Sequence, residues 1–142
     1  MGRVSRGVRG IKLRKGDAVV DMVIPEADCS LLTVCEKGYG KRTELADYRV
    51  QSRGGLGLIN IKSTSRNGKV VALKAVGDGD EVMMVTAHGM IVRTGLEEVR
   101  TIGRNTAGVR MISLKEGDHL VAVERLIPEE EVENEAEESA KE

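Results

Sequence analysis

The residues in this chain best suited to do chemistry are cations held in glycine-rich turns. Arg3, Arg6 and Arg9 stand in GRVSRGVRGI, Arg49 and Arg53 in RVQSRGGLGLI, and Arg104 and Arg110 in GRNTAGVRMI. Lys41 and Arg42 follow a GYG turn, and Arg93 occupies a matching place further on. A guanidinium presents a planar fork of donors that fits phosphate oxygens, and glycine lets turn amides approach an anion closely. The chemistry expected of this set is neutralisation of a polyanion, with Gln51, Gly54 and Gly55 beside Arg53 in the same contact. Rival chemistries are poorly supplied. Asp78, Asp80 and Glu81 lack the ligand ladder and distal Glu of a calcium loop and read as a turn. His88 and His119 have no nucleophile in their motifs. The glycines at 54, 55 and 57 precede no Gly-Lys-Ser/Thr ending, so they do not form a nucleotide loop. Cys29 and Cys35 complete neither a disulfide framework nor a zinc set and read as small hydrophobes, while Tyr39 and Tyr48 read as structural.

Charge distribution supports the same reading. The 142 residues carry 22 Lys plus Arg and 23 Asp plus Glu, a net charge of −1. The stretch from Glu129 to Glu142 holds 8 acidic residues and one Lys, so residues 1–128 carry a net +6. A basic body with an acidic tail suits nucleic acid or an anionic surface. With only two tyrosines and no Phe or Trp, base stacking on aromatic platforms is excluded as the main mode, which favours contact with a duplex backbone. The longest apolar run, Val82 to Val85, is far short of the roughly 20 residues of a membrane helix, and no signal peptide opens the chain. These features are those of a soluble intracellular protein.

The elements that must position these cations are strands. Seventeen glycines, two prolines and short β-branched runs predict an all-β chain, with strands over 8–13, 18–24, 31–36, 56–62, 70–76, 81–87, 90–94, 109–114 and 119–126. The runs repeat. Gly7, Gly54 and Gly108 align across the three arginine motifs, and LLTVCEKGYGKRTELADY at 31–48 matches MMVTAHGMIVRTGLEEV at 83–99. KGDAVVDMV, NGKVVALKA and EGDHLVAVE are three versions of a glycine turn feeding an apolar strand. A unit of about 50 residues with about four strands predicts propeller-like blades, each burying its faces on its neighbours. Residues 1–127 then form a partial ring of about two and a half blades, with repeats near 1–47, 48–100 and 101–127, and 128–142 form a disordered acidic tail. Such an incomplete ring needs either more of its own polypeptide or another chain to cover its end faces. Equivalent arginines on successive blades project from equivalent corners, which gives a curved basic track suited to a bent duplex.

MGRVSRGVRGI, CEKGYGKRT, YRVQSRGGLGLINIK, RNGKVV and GRNTAGVRMISLKEGD together resemble the C-terminal domain of the DNA gyrase A subunit over essentially all of residues 1–126. The resemblance implies part of a six-bladed β-pinwheel whose basic perimeter wraps duplex DNA, so that strand passage elsewhere in the enzyme yields negative supercoils. That family's hallmark box is Gln, basic, Arg, Gly, Gly, basic, Gly. The nearest match here runs from Gln51 to Gly57, with Ser52 and Leu56 at the two basic positions. It is therefore similar to the degenerate boxes of later blades, with the primary box upstream of Met1. The resemblance also implies that this chain is non-catalytic and holds no cofactor. The reactive tyrosine, ATP and magnesium belong to other parts of a bacterial, cytoplasmic, nucleoid-associated heterotetramer of gyrase A and gyrase B. The alternatives are the C-terminal domain of the topoisomerase IV A subunit, or a propeller scaffold that docks another protein.

If the acidic tail competes with DNA for the basic rim, deleting residues 129–142 should tighten duplex binding at low salt. Gel retardation of the full and shortened chains checks this, and equal affinities would reduce the tail to a solubilising end.

Overall fold

The structure is a computed structural model that describes residues 2–126. The acidic tail expected at 128–142 lies outside the described residues. The strands are β1 (Ser30–Cys35), β2 (Tyr39–Glu44), β3 (Val70–Val76), β4 (Glu81–Thr86), β5 (Ile91–Gly95), β6 (Val109–Arg110) and β7 (Leu120–Leu126). A short 3₁₀ turn, Leu45–Asp47, follows β2. They form two antiparallel sheets, a four-stranded one in the order β3-β1-β2-β6 and a three-stranded one in the order β5-β4-β7. The chain is all-β, as expected, and the ring is open.

Both sheets share one plan. A tight hairpin, β1-β2 or β4-β5, is closed on its first strand by a strand from further along the chain. β3 closes the first hairpin through Leu32 opposite Lys74, and β7 closes the second through Met84 opposite Val123. Each closing pair carries a register shift at the same place, between Val34 and Cys35 and between Val85 and Thr86. Leu32, Val34, Ala72, Val76, Val82, Met84, Leu96, Leu120 and Val123 pack between the sheets as one aliphatic core, the composition forced by the absence of Phe and Trp. Cys35 belongs to the buried set, and burial pushes its thiol up to about 11, with the Glu36 carboxylate adding to the shift. It is therefore a small apolar filler, as expected.

Three expected strands do not form. Residues 18–24 correspond by repeat to β3 and β7, and both of those pair with the hairpin that precedes them in the chain. Among the described residues no hairpin precedes 18–24, so the segment stays unpaired. Its side chains show the consequence. Val19 and Met22 are 65% and 82% exposed, while their repeat equivalents Leu120 and Val123 are 0% and 2% exposed. Asp21 still reaches β3, accepting the Leu73 N–H at 3.1 Å and lying 3.8 Å from Lys74 Nζ. Residues 8–13 and 56–62 form no ladder; each is interrupted by one glycine, Gly10 or Gly57, the latter at φ +80°, and they meet other motif copies at isolated crossings instead.

The sequence pattern also missed one strand. β2 reads YGKRTE, with no apolar alternation, yet its first five residues are buried between β1 and β6. Lys41, 0% exposed, donates from Nζ to the carbonyls of Gly103 at 2.8 Å and Arg104 at 2.9 Å. Thr43 donates to the Ile102 carbonyl at 2.9 Å, and the Ile102 N–H donates back to Arg42 O at 2.9 Å. These bonds fasten the third arginine motif over β2. The motif must come close, because a Cβ on Gly108 would stand 2.6 Å from the Gly40 carbonyl, at a φ of +79°.

Gly108→Ala should cost about 3 kcal/mol or more, combining left-handed strain with a backbone clash. Gly117→Ala, with φ +78° but open space around it, should cost only about 1–2 kcal/mol. Urea unfolding distinguishes them, and equal losses would show that the Gly40 contact relaxes freely. Lys41→Met keeps the aliphatic stem and removes both carbonyl bonds, so it should lower the urea midpoint by the equivalent of about 1–3 kcal/mol with the m-value unchanged.

Candidate nucleic-acid interface

The first two arginine motifs lie against one another. The Gly54 N–H donates to Gly10 O at 2.7 Å, and the Lys12 N–H donates to Gly55 O at 2.8 Å. A shallow groove at this crossing is lined by Gly10, Ile11, Gln51, Ser52, Arg53, Gly55 and Gly57. The crossing brings Arg9 and Arg53 onto adjacent chain segments, with Arg9 O only 3.6 Å from where a Gly54 Cβ would sit. Arg3, Arg6, Arg9, Gln51 and Arg53 are all exposed, and among the described residues none of the four arginines forms an ion pair. The second motif meets the third in the same manner, the Lys62 N–H donating to Thr106 O at 2.8 Å. Copies of the repeat therefore run side by side, and at the first crossing the exposed Arg9 and Arg53 stand on neighbouring segments.

The other expected contact residues are placed differently. Lys41 is not at the surface, since its ammonium serves the two carbonyls already described. Burial, with the nearby Arg104 charge, holds its pKa below the usual lysine value. Arg42 is also buried, donating from Nε to Ser30 Oγ at 2.9 Å and from Nη2 to Asp78 Oδ1 at 2.7 Å. Both were expected to face phosphate, but the burial of β2 gives them internal acceptors instead. The Gly54 amide is likewise taken up by Gly10 rather than left for an anion. Arg93 is exposed but paired with Glu81 across β4 and β5. Arg104 is half-buried, donates from Nη1 to Ile59 O at 3.0 Å and lies 5.9 Å from the Tyr48 ring centre.

Arg110 is exposed and donates from Nη2 to the Tyr39 hydroxyl at 3.0 Å. Arg66, which the repeat argument passed over, sits 4.8 Å above the same ring. The hydrogen bonds from Arg66 and then Arg110 hold the Tyr39 phenol below its ordinary pKa. A sequence signal for Arg66 did exist. Arg14, Arg66 and Lys115 each stand two residues before a turn glycine, at Gly16, Gly68 and Gly117.

The acidic and histidine motifs take the turn roles expected of them. Asp80 accepts the Gly77 N–H at 2.6 Å and Arg125 Nε at 2.5 Å. Asp118 accepts the N–H groups of His88 at 3.1 Å and His119 at 2.9 Å. Burial raises its pKa, but hydrogen bonds from Thr86, His88 and His119 outweigh burial and leave it below the usual carboxylate value. Tyr48 bonds Asn60, whose amide donates to Thr33 Oγ1 at 2.8 Å. Among the described residues no three His, Cys, Asp or Glu side chains are grouped to hold a metal ion, and no helix is long and apolar enough to cross a membrane.

The comparisons with known proteins agree with this fold. The family described as DNA gyrase C-terminal domain, beta-propeller, matches residues 1–26, 30–76 and 80–126. The DNA gyrase A subunit of Salmonella typhimurium is 46% identical over 126 residues, and that of Escherichia coli is 45% identical over 126 residues. In both cases the match covers 89% of this chain and 14% of the relative, so the chain spans about one seventh of their length. A solved DNA gyrase A C-terminal domain superposes with a TM-score of 0.79 at 33% identity, covering 86% of this chain and 42% of that one. A solved DNA topoisomerase IV C-terminal domain gives 0.81 at 20% identity, covering 94% and 43%, which is a likeness of fold alone. The chain belongs to the DNA gyrase C-terminal domain, beta-propeller, family.

Proposed function

We propose that this chain is a non-catalytic DNA-binding and DNA-wrapping segment of a gyrase A protein, part of an ATP-dependent type IIA topoisomerase that introduces negative supercoils. The observation that carries this reading is the exposed crossing of the first two motifs, where Arg9 and Arg53 come together, and among the described residues Arg3, Arg6, Arg9 and Arg53 form no ion pair. A duplex laid over it exchanges condensed counterions for guanidinium contacts, and the released ions supply affinity without base recognition. Because copies of the motif lie side by side, a duplex following them is led along a curve rather than a line. The partners under this reading are double-stranded DNA, the remainder of gyrase A, and gyrase B. ATP and magnesium are assigned to those other parts of the enzyme. Here the 51–57 glycines lack a phosphate-loop lysine, and among the described residues no acidic group is assembled for an ion. The gyrase reading is preferred to topoisomerase IV because the solved gyrase domain shares 33% identity against 20%.

The test is duplex affinity as a function of salt. The slope of log affinity against log salt should be about −3.5 or steeper, and Arg6→Ala, Arg9→Ala and Arg53→Ala combined should flatten it by about 3 without changing thermal stability. An unchanged slope would favour a protein-docking scaffold with solvated arginines. Wrapping is read separately, by binding the chain to closed-circular plasmid, relaxing it and stripping the protein. A positive change in linking number that scales with protein supports wrapping. Retardation without that change would mean that these units grip DNA but do not bend it.

A further inference from the structure

The cations around Tyr39 lie apart from the crossing of the first two motifs, and no repeat in the sequence points to them as a group. Tyr39 opens β2 and is only 5% exposed. Three chain segments meet around it. Arg110 reaches it from β6, directly opposite Tyr39 in register. Arg66 comes from the corner at 64–68, where the buried Asn67 donates to the carbonyls of Lys62 and Ala107 at 3.0 Å and accepts the Thr64 N–H at 2.8 Å. Lys37 comes from the β1-β2 turn and donates from Nζ to Ser65 O at 2.5 Å, while its own N–H donates to Asn67 O at 3.2 Å. The scaffold beneath these cations is therefore cross-tied, and their side chains reach solvent.

Convergence of like charges is unfavourable unless something offsets it. The Tyr39 ring offsets part, with guanidinium carbons 4.8 Å and 5.5 Å from its centre. No carboxylate offsets the rest, since among the described residues neither Arg66, Arg110 nor Lys37 forms an ion pair. Arg110 has five N–H donors and gives one to the phenol, which leaves most of its fork facing outward. Two forks and an ammonium on a tied scaffold fit an anion with several acceptor oxygens at one centre.

We propose that Arg66 and Arg110, mounted on Tyr39 and assisted by Lys37, form a second phosphate-binding site that grips the duplex backbone. The site deepens the DNA-binding reading and rests on it for the source of the phosphate. Tyr39 is a positioning residue here, and the cations make the contact.

The test uses the full chain, with duplex DNA and inorganic phosphate as separate probes. Arg66→Gln with Arg110→Gln should weaken duplex binding about tenfold at low salt and flatten the salt slope by about 1–2. In the unaltered chain, inorganic phosphate should shift the Tyr39 ring and the Arg66 and Arg110 Nε resonances, and the double variant should lose the Tyr39 shift. Arg66→Gln alone, at an exposed residue of the 64–68 corner, should show part of both effects should the double variant fold poorly. If the unaltered chain binds duplex and the variants bind it equally well, the site is overturned while the broader reading stands. If the unaltered chain binds no duplex, the broader reading falls. A phosphate-dependent shift would then support the anion site, and its absence would overturn that too.

Discussion

The structure depends on a pairing that is displaced along the chain. Neither hairpin is completed by the residues that directly follow it. The β1-β2 hairpin waits for β3 and the β4-β5 hairpin waits for β7, and only then do Leu32, Val34, Val82 and Met84 find apolar partners. A hairpin alone is marginal in water, whereas a hairpin closed by a third strand and packed on its neighbour buries a continuous core. The displacement also explains what happens at the near end. Residues 18–24 carry the same glycine turn as β3 and β7 and a comparably apolar run, but with no preceding hairpin among the described residues they leave Val19 and Met22 in solvent. Lys74 marks the stacking of these equivalent segments, lying 3.8 Å from Asp21 on one side and 3.4 Å from Glu124 on the other.

The same interlock divides the cations into two populations. Where a motif copy folds over a strand, its neighbours' basic groups are drawn inward as fasteners. Lys41 holds two carbonyls of the third motif, and Arg42 ties Ser30 to Asp78. A buried ammonium is tolerated there only because carbonyl oxygens replace its water. Where two copies merely cross, as at Gly10 and Gly54, glycine-rich backbone occupies the contact and the arginines stay outside. One repeated sequence therefore yields structural cations and surface cations, according to how closely the next copy approaches.

This division bears on the proposed contact with DNA. A surface that neutralises phosphates must keep its charges unpaired, at a cost in self-repulsion that the rest of the fold has to absorb. Among the described residues Asp80 is taken up by Arg125, Asp118 by backbone amides and Glu81 by Arg93, and no carboxylate forms an ion pair with the arginines of the first two motifs. Membership of the gyrase C-terminal domain family and the TM-score of 0.79 with a solved member place that surface on a β-propeller scaffold.

Much of this was legible in the residues themselves. Glycine spacing, β-branched runs and the three motif copies determined an all-β, repeated chain with an aliphatic core, and five of the expected strands lie within about a residue of β1, β3, β4, β5 and β7, because a closing strand must be apolar on its buried positions wherever it sits. The basic body and the scarcity of aromatics pointed to a polyanion as the proposed ligand, because the placement of charge along the chain is read directly from the residues. Tertiary structure alone decided that YGKRTE is a buried strand, that Lys41 and Arg42 face inward and that Arg66 joins Arg110 on Tyr39. Those outcomes turn on which distant segment arrives to accept a hydrogen bond or cover a face. The carbonyls of residues 103 and 104 meet Lys41 across more than 60 positions of chain, and no local pattern records such a meeting, because a lysine reads the same in sequence whether water or a carbonyl receives its protons.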